Sequence, residues 1–339
     1  MLYPTELRAH VGTPRRSLIL PRYTARAVGD TETGTRPDAR YVLIGATGQL
    51  GFDLARTFEL PGTLLTPPRS ELDILDARRM GETLRALRPT HVLNTAAWNA
   101  VDAAEDEPRR AFALNAEAVG TLAEACQALG TTLVHFSTDY VFDGAKGAPY
   151  TEDDAPNPLG AYGVSKLAGE RLARERCGSA LVIRVSGLFG VARSAGKDGT
   201  NFVETMLRLA REGRPLRVVA DQVLGPSYTL DVARAVWRVI ASGHTGLCHV
   251  TSGGETSWHD FAHEIFRLEG LTPSLTAVSS DEYGARAKRP PYSVLAHRRL
   301  GALGIAEPRA WGVALAAYLA ERRALNAPAR PGSGRRTSG

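Results

Sequence analysis

Cysteine, methionine and tryptophan are scarce in this chain of 339 residues, which contains three Cys, three Met and four Trp. The cysteines (Cys126, Cys177 and Cys248) stand singly and far apart, so we expect reduced thiols rather than a disulfide framework or a zinc site. No apolar run approaches the length of a membrane span. The longest apolar run near the N-terminus, 18–20, is too short for the core of a secretory signal. These absences favour a cytoplasmic protein without a membrane partner.

A basic surface on the folded part of the chain is also absent, although the pI is about 9.2. Residues 1–40 hold seven arginines against four acids, and residues 327–339 hold three arginines and no acid. The rest of the chain is therefore close to neutral, and we expect no nucleic-acid partner. Both terminal segments are rich in small and polar residues without periodicity. We predict that 1–40 is a poorly ordered extension and 327–339 a disordered tail.

From Tyr41 onward, short apolar runs alternate with amphipathic stretches, which is typical of an α/β fold with a doubly wound parallel sheet. Strands are predicted at 41–46, 63–66, 91–95, 132–137 and 180–185, and helices at 49–60, 77–87, 109–129 and 162–176. After residue 186 the rhythm loosens, and helices are predicted at 201–212, 230–241, 258–268 and 312–322. We predict a dinucleotide-binding domain at 41–185, to which 225–250 returns, and a smaller C-terminal substrate-binding region formed by 186–224 and 251–326.

Glycines recur at a spacing of three where the first predicted strand meets the first predicted helix, in Gly45-Ala46-Thr47-Gly48-Gln49-Leu50-Gly51. Glycines in a strand-turn-helix unit permit a tight turn and let the backbone approach a pyrophosphate at the helix N-terminus. The acid that usually binds the adenosine ribose about 20 residues further on is missing, and the segment offers Arg69 instead. Because a guanidinium can pair with a 2′-phosphate, NADPH is favoured, with NADH as the alternative.

Polar residues directly follow the third and fourth predicted strands. The third ends in Asn94-Thr95-Ala96-Ala97-Trp98 and the fourth in Ser137-Thr138-Asp139. Ligands bind at the carboxyl ends of parallel strands. The next predicted helix carries Tyr162 and Lys166, which share one helix face because they are four residues apart. The pair is common on exposed helices, so its catalytic interpretation depends on these neighbours.

Several sequence blocks closely resemble the dTDP-4-dehydrorhamnose reductase family, which belongs to the extended short-chain dehydrogenases and has a Rossmann-type sheet. They are NTAAWNAVDAAEDEP (94–108), LNAEAVGTLAEAC (114–126), HFSTDYVFDG (135–144), AYGVSKLAGE (161–170), NFVETMLRLA (201–210), DQVLGPSYTLDVA (221–233) and KRPPYSVL (288–295). The resemblance covers about 41–322. It implies NADPH-dependent reduction of the 4-keto group of dTDP-4-dehydro-6-deoxy-L-mannose to dTDP-L-rhamnose.

The resemblance also implies roles for individual residues. Tyr162 would protonate the keto oxygen, Thr138 would hydrogen-bond that oxygen, and Lys166 would lower the pKa of Tyr162 and hold the nicotinamide ribose. The implied cofactor contacts are the glycine turn (Gly45, Gly48, Gln49, Leu50, Gly51), the adenine side (Arg69, Asp73, Ile74), the third strand end (Ala96, Ala97, Trp98) and the catalytic pair. The implied substrate contacts are Thr138, Asp139, Tyr140, Asn201, Gln222 and Arg289, the last of which suits a diphosphate.

Two departures from the family pattern matter. Many members carry a tryptophan in the sugar site where this chain has Gly187, so reduction of another 4-keto nucleotide sugar is an alternative. The acids that hold a magnesium ion at a dimer contact in some members are not recognisable, so we predict no metal. The run Glu105-Asp106-Glu107 is interpreted as negative charge at a helix N-terminus. A homodimer is compatible with the sequence. The remaining alternative is a non-catalytic subunit that resembles the regulatory subunit of methionine adenosyltransferase.

Overall fold

A parallel sheet of six strands forms the centre of the computed structural model, which describes residues 38–192 and 200–326. In chain order the elements are β1 (Arg40–Ile44), α1 (Gln49–Arg56), β2 (Thr63–Leu65), α2 (Ala77–Leu87), β3 (His91–Asn94), α3 (Val101–Asp106), α4 (Pro108–Phe112), a π-helical turn (Ala113–Glu117), α5 (Ala118–Leu129), β4 (Thr132–Thr138), a 3₁₀ turn (Asp139–Val141), α6 (Ala161–Arg176), β5 (Leu181–Val185), β6 (Leu188–Phe189), α7 (Phe202–Arg211), β7 (Leu216–Val219), β8 (Val223–Leu224), β9 (Ser227–Tyr228), α8 (Thr229–Ala241), β10 (Gly246–His249), β11 (Thr256–Ser257), α9 (Trp258–Glu269), β12 (Leu275–Val278), α10 (Ser280–Tyr283), α11 (Arg298–Ala302) and α12 (Trp311–Asn326).

The strand order in the sheet is β10-β5-β4-β3-β1-β2, and every pair is parallel. The chain moves outward in both directions from β1, so the predicted doubly wound sheet is confirmed. The carboxyl ends of β1 and β3 meet where the direction reverses, which is where such sheets bind ligands.

Apolar side chains cover both faces of the sheet, since its strands are apolar at consecutive positions. Along β1, Tyr41 and Leu43 pack with α1 and α8, whereas Val42 and Ile44 pack with α2 and α5. A third apolar cluster joins α7, α9 and α12 beyond the sheet, around Phe261. Within the described residues, every helix is too short or too polar to span a bilayer.

The predicted elements of the sheet match the observed ones to within two residues, except that α1 ends at Arg56 and the predicted helix at 109–129 is broken by the π-helical turn. The short strand pairs β6–β9, β7–β12 and β8–β11 were not predicted, because two- to four-residue strands carry little periodicity. Most of the predicted terminal segments (1–37 and 327–339) lies outside the described residues.

Candidate active site

The glycine turn after β1 has the tight geometry that the sequence predicts. Gly45 has φ +83°, and a Cβ there would lie 2.6 Å from Thr95 Oγ1. A Cβ on Gly51 would lie 2.2 Å from the Gly45 carbonyl oxygen, so helix and turn are in contact. Among the described residues, no side chain caps the first turn of α1, which also contains no acid. The amides at Gln49 and Leu50 are therefore suited to an anionic group, as a pyrophosphate requires.

The residues predicted for the adenine side lie in the loop after β2. Arg69 Nε donates to Asp73 Oδ2 at 2.9 Å, and Ile74 is buried. Burial alone would raise the pKa of Asp73, but the Leu75 amide and the Arg69 guanidinium outweigh it and lower that pKa. Because the Arg69 side chain is 78% exposed, its ion pair is weak and can exchange for another anion.

An asparagine that the sequence interpretation did not single out connects the third strand end to α6. Asn115 Oδ1 accepts from the Trp98 amide at 2.8 Å, and its Nδ2 donates to the Trp98 carbonyl and to Ser165 Oγ, each at 3.0 Å. Asn115 is fully buried in the π-helical turn. A buried asparagine within an apolar helix pattern is the signal that could have found it. Its hydrogen bonds hold the segment Ala96–Trp98, which is the predicted cofactor contact, beside α6.

The three predicted catalytic residues converge at the carboxyl end of β4. The Tyr162 hydroxyl lies close enough to the Thr138 side chain for Thr138 to lower its pKa. Lys166, one turn further along α6, is 2% exposed, and its Nζ donates to the Phe136 carbonyl at 2.6 Å. Thr138 Oγ1 donates to Asp139 Oδ1 at 3.0 Å. The fold thus brings together a phenol, a hydroxyl and an ammonium that lie up to 28 positions apart in the chain.

Burial sets the protonation of this group. It raises the pKa of Tyr162 to about 12, with a further contribution from Asp139 and against the effect of Thr138. It lowers the pKa of Lys166 to about 8, although Glu170 acts in the opposite direction. The net effect of the surroundings is therefore to raise the pKa of Tyr162, and the lowering by Lys166 that the resemblance implies stays a prediction. Tyr162 is protonated at neutral pH, as a proton donor must be.

The depressed pKa of Lys166 predicts the alkaline limb of the pH profile. The ammonium is mostly charged below pH 8 and mostly neutral above it, so we expect kcat/KM, which reports the unliganded protein, to fall as pH rises through about 8. The measurement is kcat/KM across that range. Lys166→Met should be slow throughout and should lack the limb. If the activity of the wild-type protein fell only near pH 10.4, about the pKa of free lysine, the prediction would be contradicted.

The two residues after Thr138 have different environments. Asp139 is 3% exposed, and its Oδ2 accepts from Ser186 Oγ at 2.8 Å and Ser293 Oγ at 2.6 Å. Burial raises its pKa despite these hydroxyl donors. Asp139 therefore lies beneath the site and connects its segments, whereas it was predicted to touch the sugar directly. Tyr140 is partly exposed, with its ring 6.0 Å from that of Tyr162.

A cleft opens beside Tyr162. The residues that line it are Val101, Tyr140, Leu159, Gly160, Tyr162, Gly163, Lys288 and Pro290. The cleft lies between the start of α3, the start of α6 and the loop that carries Arg289. Tyr162 is thus one of the residues that line this small cleft.

The remaining predicted substrate contacts lie in three different places. Arg289 forms a bidentate pair with Asp102, at 3.2 and 2.7 Å. Gln222 is buried and donates to Ser280 Oγ at 2.8 Å. Asn201 caps α7 and donates to Gln49 Oε1 at 3.1 Å. The structure therefore places Arg289 by the cleft, whereas Asn201 lies against the glycine-turn helix.

Gly187 lies directly after β5 in a crowded place. Its φ is +49°, and a Cβ there would lie 2.8 Å from Leu224 Cδ1 and 3.0 Å from Pro226 Cα. A larger side chain at this position would require the neighbouring backbone to move. Among the described residues, those that line the cleft beside Tyr162 do not include Gly187.

The predicted acidic run serves helix ends. Glu105 Oε1 accepts from the Ala161 amide at 2.8 Å, at the N-terminus of α6. Glu107 lies at the N-terminus of α4 and pairs with Arg110. In their own helix Glu105 and Asp106 lie at the C-terminal end of α3, so the interpretation of the run holds only for Glu107 and, through its contact with α6, for the Glu105 carboxylate.

Comparison with known proteins shows which family the chain belongs to. The family model described as RmlD substrate binding domain matches residues 39–324. The chain belongs to this family. It is 39% identical over 284 residues to the spore coat polysaccharide biosynthesis protein SpsK of Bacillus subtilis, covering 84% of this chain and 98% of the relative. It is 40% identical over 269 residues to the dTDP-4-dehydrorhamnose reductase of Salmonella typhimurium, covering 75% and 88%.

Two further relatives bear on cofactor and substrate. The dTDP-4-dehydrorhamnose reductase of Bacillus anthracis, solved in complex with NADP, superimposes with a TM-score of 0.79 at 34% identity, covering 84% of this chain and 99% of that chain. A protein of Streptomyces niveus named dTDP-4-keto-6-deoxy-D-glucose reductase is 35% identical over 281 residues, covering 81% of this chain and 95% of the relative. Members of the RmlD family with similar identity to this chain thus carry names that differ in the sugar.

Proposed function

We propose that this protein reduces the 4-keto group of dTDP-4-dehydro-6-deoxy-L-mannose with NADPH and releases dTDP-L-rhamnose. The observation that carries the proposal is the convergence of Thr138, Tyr162 and Lys166 beside a cleft, on the sheet edge that also carries the glycine turn. Membership of the RmlD family and the names of its relatives support the same reaction.

The residues divide the work of the reaction between them. NADPH, when bound, supplies the hydride that adds to the C4 carbon of the sugar. Tyr162 donates its hydroxyl proton to the C4 oxygen, and Thr138 hydrogen-bonds the same oxygen and orients it. Lys166 holds the nicotinamide ribose through its ammonium. The glycine turn binds the pyrophosphate through the amides at the start of α1.

The direct test combines the purified protein, NADPH and the 4-keto sugar nucleotide. Loss of nicotinamide absorbance and a product with the mass and retention of dTDP-L-rhamnose are expected. An inactive protein that nevertheless bound NADPH and a methionine adenosyltransferase would favour the non-catalytic alternative.

A second candidate function follows from Gly187, because it stands where the resemblance leads us to expect a tryptophan in the sugar site. The Streptomyces niveus relative is named for reduction of dTDP-4-keto-6-deoxy-D-glucose. Turnover of that substrate at a higher kcat/KM than the L-mannose compound would favour this candidate.

The cofactor proposal predicts an effect of Arg69. Since Arg69 is the guanidinium in the loop after β2 and its present partner is exposed, we expect Arg69→Ala to lower the preference for NADPH over NADH by about tenfold, the loss of one charged contact. The measurement is kcat/KM with each cofactor. Arg78→Ala is the matched control, because Arg78 also forms an exposed i,i+4 pair. An unchanged preference would exclude Arg69 from the 2′-phosphate site.

The finer predictions about assembly and location are also proposals. We propose a cytoplasmic homodimer, supported by three buried free cysteines in a chain of a biosynthetic family. Light scattering of the purified protein tests the dimer. The division into a dinucleotide-binding domain and a substrate-binding region is proposed as predicted, supported by the separate apolar cluster around Phe261.

A further inference from the structure

The first turn of α6 carries Tyr162 but lacks a cap of its own. The residue before the helix is Gly160, which is extended and has no side chain to accept a bond from the first amides. Uncapped amides leave a helix end free to fray. Tyr162 is the second residue of this helix, so fraying there would move the phenol away from Thr138.

An acid from a different helix supplies the missing cap. Glu105, in α3, accepts from the Ala161 amide with Oε1 at 2.8 Å. The approach is close, because a Cβ on Gly160 would lie 2.6 Å from the same oxygen. Glycine at 160 therefore leaves the space that the Glu105 carboxylate occupies.

The helix that carries Glu105 is itself held in place. Asp102 pairs with Arg289 and accepts from the Ala287 amide at 3.0 Å. Asp106 pairs with Arg286. The three acids of this short helix thus connect the loop at 286–289 to the start of α6, on two sides of the cleft beside Tyr162.

We propose that Glu105 is a positioning residue that fixes the first turn of α6, and with it the Tyr162 hydroxyl, for proton transfer to the keto oxygen. The inference rests on the proposed function of Tyr162. The length of the Glu105 side chain matters rather than its charge, because the pKa of Tyr162 is shifted by burial, Thr138 and Asp139 and not by Glu105. Glu105 acts through the backbone and does not touch the reacting atoms.

Two substitutions at Glu105 separate the effect of its side-chain length from the effect of its charge. Glu105→Asp keeps the charge but withdraws the carboxylate by one methylene, and Glu105→Gln keeps the reach and removes the charge. We expect Glu105→Asp to lower kcat about tenfold, as the loss of a helix cap would, with little change in the KM for NADPH. Glu105→Gln should stay within about twofold of wild type, with an unchanged pH profile. Glu124→Ala is the matched control, since Glu124 is exposed and pairs with the last residue of α6.

Amide hydrogen exchange of the segment 158–167 gives a readout that needs no activity. We expect faster exchange in Glu105→Asp, and wild-type exchange in Glu105→Gln and Glu124→Ala. Wild-type kcat and exchange in Glu105→Asp would overturn the proposal, and so would equal losses in Glu105→Asp and Glu105→Gln. If the wild-type protein reduced no 4-keto sugar nucleotide, the proposed function would fail, while the exchange comparison would still decide whether Glu105 fixes this turn.

Discussion

Tyr162→Phe is expected to lower kcat by about 10²- to 10⁴-fold, the range for loss of a positioned general acid. The substitution removes the hydroxyl beside Thr138 and keeps the ring that packs edge-on against Tyr140. Binding of NADPH should change little, because the glycine turn and Lys166 are left intact. Steady-state turnover and a fluorescence titration with NADPH measure the two effects separately.

Tyr150→Phe is the matched control for this experiment. Its ring is stacked on Phe142 with the centroids 4.0 Å apart, and its hydroxyl donates to Asp143 at 2.9 Å. It therefore loses a bonded hydroxyl of the same kind at a position without a proposed role in proton transfer. Equal kcat values for the two variants would show that Tyr162 is not the proton donor.

Arg184→Leu is expected to destabilise the protein by about 3–5 kcal/mol, the cost of leaving a buried carboxylate unpaired. Arg184, in β5, donates to both oxygens of Glu170 at 2.9 and 2.7 Å, and each side chain is 3% exposed. The guanidinium also stacks on Phe142, 5.0 Å from the ring centroid. Denaturant unfolding at equilibrium measures the change.

Two further variants test whether the burial of the Arg184–Glu170 pair causes the destabilisation. Arg176→Ala breaks the exposed pair between Arg176 and Glu124, which should cost less than about 1 kcal/mol. The double variant Arg184→Leu/Glu170→Leu replaces both charges with apolar groups and should recover most of the loss. A small effect of Arg184→Leu alone would mean that water reaches Glu170.

Much of the sheet and of its carboxyl edge could be predicted, because these features depend on local pattern. Short continuous apolar runs mark β1 to β5, and the glycine spacing marks the turn at Gly45. Tyr162 and Lys166 share one helix face because they are four residues apart in a helix. The resemblance to a known family then connected these local features to one reaction.

The contacts that sequence analysis did not predict join residues far apart in the chain. Asp102 and Arg289 are 187 positions apart, so no local pattern reveals that the predicted diphosphate ligand already has a carboxylate partner. The resemblance implied that Asp139 contacts the sugar, but two serines from distant segments hydrogen-bond its carboxylate in the interior. The rise in the pKa of Tyr162 was not predicted, because the burial that causes it depends on how distant segments pack around the phenol.

The crowding around Gly187 restricts which residues this position can accept over evolutionary time. Any other residue at 187 would have to adopt a φ of +49°, and its Cβ would meet the Leu224 side chain and the Cα of Pro226. A change at 224 removes only the first of these contacts, because every residue at 226 has a Cα. Glycine is therefore expected to persist at 187, and a library that varies 187 and 224 together should recover mostly glycine at 187.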